Sequence, residues 1–118
     1  MPAIRFYRTS SGRYPVEEFL DTLSGKQAQK VVWVLRLVDE LDSVPAQYLK
    51  KLVGTEGLWE LRAQYGGDTF RILGFFAGAD VLVLTRGFAK TSERIPRREI
   101  DRADVCRRDY MRRSTRDE

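Results

Sequence analysis

Apolar positions change period along the chain, and each change marks an element. Residues 4–8 (Ile-Arg-Phe-Tyr-Arg) alternate as a first strand and run into a Ser-Ser-Gly turn. Pro15 sits at a first helical position with Glu17 and Glu18 close behind, which opens a short helix ending near Leu23. Ser24-Gly25-Lys26-Gln27 has the spacing of a capping box, Ser24 as N-cap and Gln27 at the third helical position. Val31, Val34, Leu35, Val38 and Leu41 then recur at helical spacing through about Asp42, with Trp33 and Leu37 widening the apolar stripe. Residues 43–57, punctuated by Pro45, Gly54 and Gly57, read mostly as loop.

After Gly57 the period falls from 3.6 to 2. In Leu58-Trp-Glu-Leu-Arg-Ala-Gln-Tyr65 one face carries Trp59, Leu61, Ala63 and Tyr65, and the other Glu60, Arg62 and Gln64. Gly66-Gly67-Asp68 signals a hairpin. The following strand divides Phe70, Ile72 and Phe76 from Arg71, Leu73 and Phe75. A turn at Ala77-Gly78-Ala79-Asp80 leads to Val81–Thr85, apolar enough for the sheet interior. Pro96 opens a last helix in which Ile100, Ala103, Cys106 and Tyr110 face the sheet. The fold class is α+β: an N-terminal strand, two helices, a three-strand antiparallel meander and a C-terminal basic helix. It forms one domain over residues 4–113 with a charged tail at 114–118.

Composition narrows the function. A chain of 118 residues can bury one core without disulfides or metal. The only cysteine is Cys106, which reads as a small buried apolar residue. The longest apolar run, Val31–Leu35, is too short to cross a bilayer, and no secretion signal is visible, so a cytoplasmic protein without membrane contact is expected. Charge is uneven. Residues 1–85 hold ten Lys+Arg and ten Asp+Glu, whereas residues 86–118 hold eleven and seven, so the net +4 comes from the C-terminal end. That asymmetry suits a polyanionic partner, or a solvated basic helix. Histidine is absent, which disfavours zinc enzymes, Ser-His-Asp hydrolases and two-histidine ribonucleases.

The remaining polar signals are cations on strands. Glu60 and Arg62 lie two apart on one face, Arg71 interrupts an apolar strand, and a hairpin register can bring Arg71 beside Arg62 or Gln64. Lys90 follows the last strand, and Lys50-Lys51 precede the first strand of the meander. Arginines and a lysine on a concave sheet face suit phosphate chemistry, because a guanidinium grips phosphate bidentately and keeps its charge. Arg71, Lys90 and Arg62 are the candidate catalytic cations. Glu60 is the candidate general base, or else one half of a surface ion pair with Arg62 or Arg71. Lys50, Lys51, Arg86, Arg94 and Arg97 are candidate RNA-backbone contacts. No cofactor or metal site is read.

Gly57-Leu-Trp-Glu-Leu-Arg62, then Phe70-Arg71-Ile72 after a Gly-Gly turn, then Leu84-Thr-Arg-Gly-Phe-Ala-Lys90-Thr closely resemble the HigB-like branch of the RelE/ParE toxin superfamily. The Pro96-Arg-Arg-Glu-Ile-Asp-Arg-Ala103 helix is similar to that family's ending, and the likeness spans about residues 4–113. The resemblance implies the toxin of a type II toxin–antitoxin pair, usually a ribosome-dependent, metal-independent mRNA endoribonuclease. Its neutralising antitoxin often carries a helix-turn-helix domain. By motif position Arg71 matches the phosphate-stabilising arginine, Lys90 a second basic catalytic residue, and Arg62 a recurrent strand arginine. Trp59 and Glu60 stand where some relatives carry lysines, and no terminal catalytic tyrosine or histidine precedes Ile95-Pro96. The same superfamily includes ParE-like toxins that inhibit DNA gyrase by binding alone, which is the alternative function.

Overall fold

The computed structural model describes residues 3–89 and 94–116. Its elements run β1 (Ala3–Phe6), α1 (Pro15–Asp21), α2 (Gly25–Glu40), β2 (Leu49–Lys51), β3 (Leu58–Tyr65), β4 (Asp68–Ala77), β5 (Val81–Ala89) and α3 (Arg97–Arg116). The strands form one sheet in the spatial order β1-β5-β4-β3-β2, with β1 parallel to β5 and the other pairs antiparallel. The architecture is therefore mixed α+β, with the meander β3-β4-β5 at its centre. Three elements depart from the sequence reading. β5 runs on through Ala89 instead of ending at Thr85. β2 forms inside the 43–57 segment, because three residues are too few to show a period. α3 continues through Arg116, so the start of the expected tail prolongs the helix. No helix among the described residues is long and apolar enough to cross a membrane.

Local chemistry explains the helices. Ser24 Oγ accepts from the Gln27 backbone N–H at 3.2 Å while Gln27 Oε1 accepts from the Ser24 N–H at 3.0 Å, closing the capping box of α2. The α2 stripe of Val31, Val34, Leu35 and Val38, with Val16 of α1, buries against Leu61, Ala63, Phe70, Ile72, Leu82 and Leu84. Trp33 does not widen this stripe. It stays 46% exposed, edge-on to Tyr48 and under the Lys30 ammonium. Tyr65 is likewise exposed at the hairpin end. The opposite sheet face carries Leu58, Leu73, Phe75 and Val83, covered by Ala103, Cys106, Ile100 and Tyr110 of α3. Both faces are thus roofed, α1 and α2 on one and α3 on the other.

A β-bulge sets which face the end of β5 presents. The register runs from Gly74↔Leu84 to Leu73↔Arg86, leaving Thr85 without a partner across the ladder. Thr85 is fully buried, and its hydroxyl donates to the Leu73 carbonyl at 2.8 Å. The extra residue moves Arg86 and Phe88 to the α3 face, although strict alternation from Leu82 and Leu84 would send Arg86 toward α1. At the same point Gly74 approaches β5 so closely that a Cβ would lie 2.5 Å from the Val83 carbonyl oxygen. Backbone cannot yield there, so Gly74→Ala is expected to cost about 1–3 kcal/mol, visible as a lowered Tm in thermal unfolding.

The C-terminal half of α3 is tied to the chain after β1. The Tyr7 hydroxyl donates to Asp109 Oδ2 at 2.5 Å, and the Arg113 guanidinium lies over the Tyr7 ring. Burial pushes the Tyr7 phenol up to about 12, helped by the bond to Asp109. The Tyr7 bond, then the nearby guanidiniums of Arg112 and Arg113, hold the Asp109 carboxyl below its usual value. The stability from Asp109 is present above its unfolded value of 3.8 and lost as pH falls through the depressed one. That from Tyr7 is present below 10 and lost as pH rises toward about 12. Acid should therefore loosen this contact, and Asp109→Asn should reduce the loss of stability below pH 3.8, as measured by unfolding across a pH series.

Candidate functional site

The antiparallel register lays two rows of side chains across the α3 face. Lys50, Glu60, Leu73 and Arg86 stand opposite one another on β2, β3, β4 and β5, and Arg62, Arg71 and Phe88 form the adjacent row. Directly opposed residues share a face with side chains in reach of each other. The sheet thereby places Lys50, Arg62, Arg71 and Arg86, from four strands, on one face, with Arg62 and Arg71 against the Glu60 carboxylate. Lys51 pairs with Trp59 and so takes the other face.

Glu60 is the centre of this grid. It is only 2% exposed, as is Arg71, and Arg71 Nε lies 2.9 Å from Glu60 Oε2. The other carboxylate oxygen is 3.6 Å from Arg62 Nη2, whose side chain remains 30% exposed. One buried anion thus fixes two guanidiniums, one deep and one at the rim. This corrects two expectations. Glu60 and Arg71 do not lie on an open concave surface, and their pair is not a surface ion pair. A polar parity along β3 promises solvent only if nothing covers that face, and Ile95 and α3 pack over it.

The other expected residues scatter. Arg86 approaches Glu99 of the first α3 turn at 3.8 Å and keeps about a third of its side chain exposed. Lys50 and Lys51 are exposed on the edge strand β2 rather than in a loop. Arg94 is exposed at a bend ahead of α3. Arg97 is exposed and bonds Asp101 one turn along its own helix at 3.1 Å. Lys90 lies outside the described residues. Much of the basic charge of α3 is met within the helix: Asp104 contacts Arg107 and Arg108 at 2.8 and 2.6 Å, and Asp109 contacts Arg112 and Arg113 at 3.0 and 2.8 Å. The net excess of residues 86–118 stands, but these four arginines are engaged with carboxylates of their own helix. Cys106 is buried, and burial raises its thiol above the usual value, consistent with packing rather than reactivity.

One participant escaped sequence reasoning. Beyond the short β2, Arg62 lines an open groove of about 270 Å³ with Lys30, Gln47, Tyr48 and Gln64. Lys30 belongs to α2 and is far from Arg62 in sequence, so only the tertiary fold joins these two cations. The groove holds two positive groups, two amides and a phenol, with no carboxylate in its lining. Such a lining can take phosphate oxygens, with Arg62 reaching from the buried Glu60–Arg71 pair to the solvent-filled space.

Three helices on a five-stranded mixed sheet, with cations from four strands on one face and no histidine in the chain, define a small basic α+β protein whose polar groups suit an anionic ligand. The chain belongs to the Phage derived protein Gp49-like family (DUF891), whose model matches residues 18–108. That is a RelE-type toxin family, and membership implies a cognate antitoxin as partner. No curated protein matches the chain. The matched span includes every residue of the two cation rows and leaves out β1 and the last turns of α3.

Proposed function

We propose that this chain is a HigB-like toxin of a type II toxin–antitoxin pair, acting in the cytoplasm as a ribosome-dependent endoribonuclease on mRNA. The observation that carries the reading is Arg62. It is held by the buried Glu60 carboxylate and lines an open groove that also contains Lys30. In this reading a phosphodiester enters that groove and Arg62 takes its non-bridging oxygens. The 2′-oxygen attacks phosphorus, the bond to the 5′-oxygen breaks, and the products are a 2′,3′-cyclic phosphate and a 5′-hydroxyl end. Charge gathering on the phosphorane is stabilised by Arg62 and Lys30, with Arg71 contributing a fixed positive charge from beneath. Glu60, buried and shared between two arginines, positions them and is not the base proposed from sequence alone. The proton of the 2′-hydroxyl passes to water or to a group of the ribosomal RNA, and the departing 5′-oxygen takes its proton from the Lys90 ammonium or from such a group. The partner would be an antitoxin of helix-turn-helix type.

Primer extension on total RNA after induction tests this. Cuts inside translated messages, lost in the Arg62→Ala variant, are expected. Intact transcripts accompanied by a DNA-damage response would overturn it in favour of gyrase inhibition.

A further inference from the structure

A large open cavity lies away from the Glu60 grid. It is about 630 Å³, set between β1 and the C-terminal half of α3, and lined among others by Arg5, Arg8, Arg113, Tyr14 and Tyr110. β1 and β3 are three strand spacings apart, so roughly 14 Å of sheet separates this cavity from Arg62. All five of these residues fall outside the span matched by the family model.

Its electrostatics differ from the rest of the basic surface. No carboxylate lines the cavity, and among the described residues neither Arg5 nor Arg8 makes a salt bridge, in contrast to the α3 arginines paired with Asp101, Asp104 and Asp109. The cations are nonetheless held in place. Arg5 Nη1 donates to the Tyr110 hydroxyl at 2.6 Å, leaving that phenol's proton free to donate to a ligand. Arg113 Nη2 donates to the Arg8 carbonyl and is anchored by Asp109 at 2.8 Å. The Arg8 guanidinium lies against Gly12, where an added Cβ would come within 3.1 Å of Nη2. Gly12 adopts φ +88 in a turn closed by its own N–H to the Thr9 carbonyl at 2.9 Å. Tyr14, at the end of that turn, presents an exposed ring at the rim.

We infer that this cavity is a second RNA subsite, in which Arg5, Arg8 and Arg113 hold phosphates of a single strand while Tyr14 stacks a base. Two guanidiniums without a carboxylate partner among the described residues, those of Arg5 and Arg8, beside an exposed aromatic ring are the chemistry of single-strand binding, and the ring distinguishes it from a site that reads charge alone. The choice of RNA rests on the function proposed above, whereas the geometry does not. The subsite would hold a stretch of RNA apart from the cleaved bond, giving the protein a grip on its substrate independent of the Arg62 groove.

The test is fluorescence anisotropy with a labelled, uncleavable 2′-O-methyl single strand of about 12 nucleotides, matched to the usual single-strand site size. The double variant Arg5→Ala/Arg8→Ala should bind about tenfold or more weakly, and its slope of log affinity against log salt should fall by about 1.4, two phosphate contacts' worth. Tyr14→Ala should weaken binding about tenfold with the salt slope unchanged, a split that general unfolding would not produce. Unchanged affinity and slope in the double variant, with wild-type Tm, would overturn the subsite while leaving Arg62-dependent cleavage untouched. Equal displacement of the strand by a poly-glutamate peptide of the same charge would also overturn it, by showing an acidic-protein surface instead. A wild-type protein that binds through Arg5 and Arg8 but cuts no mRNA would sink the nuclease reading and keep the subsite.

Discussion

Arg71→Ala is expected to unfold the protein well before any loss of chemistry can be read from it. Removing that guanidinium leaves the Glu60 carboxylate buried, with the Arg62 contact at 3.6 Å as its remaining ion pair among the described residues. Breaking a buried ion pair from one side costs about 3–5 kcal/mol, because the surviving charge keeps its desolvation penalty and loses its compensation. For a domain of this length that corresponds to a fall in Tm of about 10–20 °C, measurable by circular dichroism. Removing both charges should be far milder. Glu60→Leu combined with Arg71→Met is expected to recover most of the stability, since replacing a buried pair by apolar groups of similar volume is often neutral. A single Arg71→Ala variant melting within about 2 °C of wild type would show that the pair has no structural role. Loss of toxicity in that single variant would therefore say nothing by itself about catalysis.

Arg62→Ala carries the opposite expectation, an intact fold with lost activity. The side chain is 30% exposed and its contact with Glu60 is long, so its contribution to stability should stay within about 1 kcal/mol. Losing a preorganised donor to a transition-state oxyanion typically lowers turnover about 100- to 1000-fold. Cleavage of a reporter message in a translating extract should fall by that factor at unchanged Tm. Arg62→Lys should restore part of the rate, since the charge returns without the planar fork. A wild-type rate in Arg62→Ala would move the chemistry to another part of the surface.

The contrast between these two arginines was half legible in the sequence. Their opposition across the hairpin follows from a Gly-Gly turn between two alternating strands, and the register pairs Arg62 with Arg71 directly. The division of Phe70 and Ile72 from Arg71 and Leu73, the capping box of α2 and the sheet-facing stripe of α3 also follow from local periods, and all are present. What stayed hidden depends on distant contacts. Alternation labels Glu60 polar but cannot say that α3 roofs its face. Nothing local marks Thr85 as a bulge, so the face of Arg86 cannot be read from parity. Lys30 joins Arg62 only because α2 packs beside the end of β2, and a count of the charges of α3 cannot say which arginines are paired.

The placement of β1 bears on how the molecule is made. This first strand has no partner near it in sequence: it lies parallel to β5, Ala3 beside Val81, and the chain that follows it is clamped by Asp109 of the last helix. Contacts of such long sequence separation close late, after the loop entropy between them has been met. During synthesis, β1 cannot dock until β5 has been made and cannot be clamped until Asp109 of α3 has followed, so the wall bearing Arg5 and Arg8 is assembled only after most of the sheet.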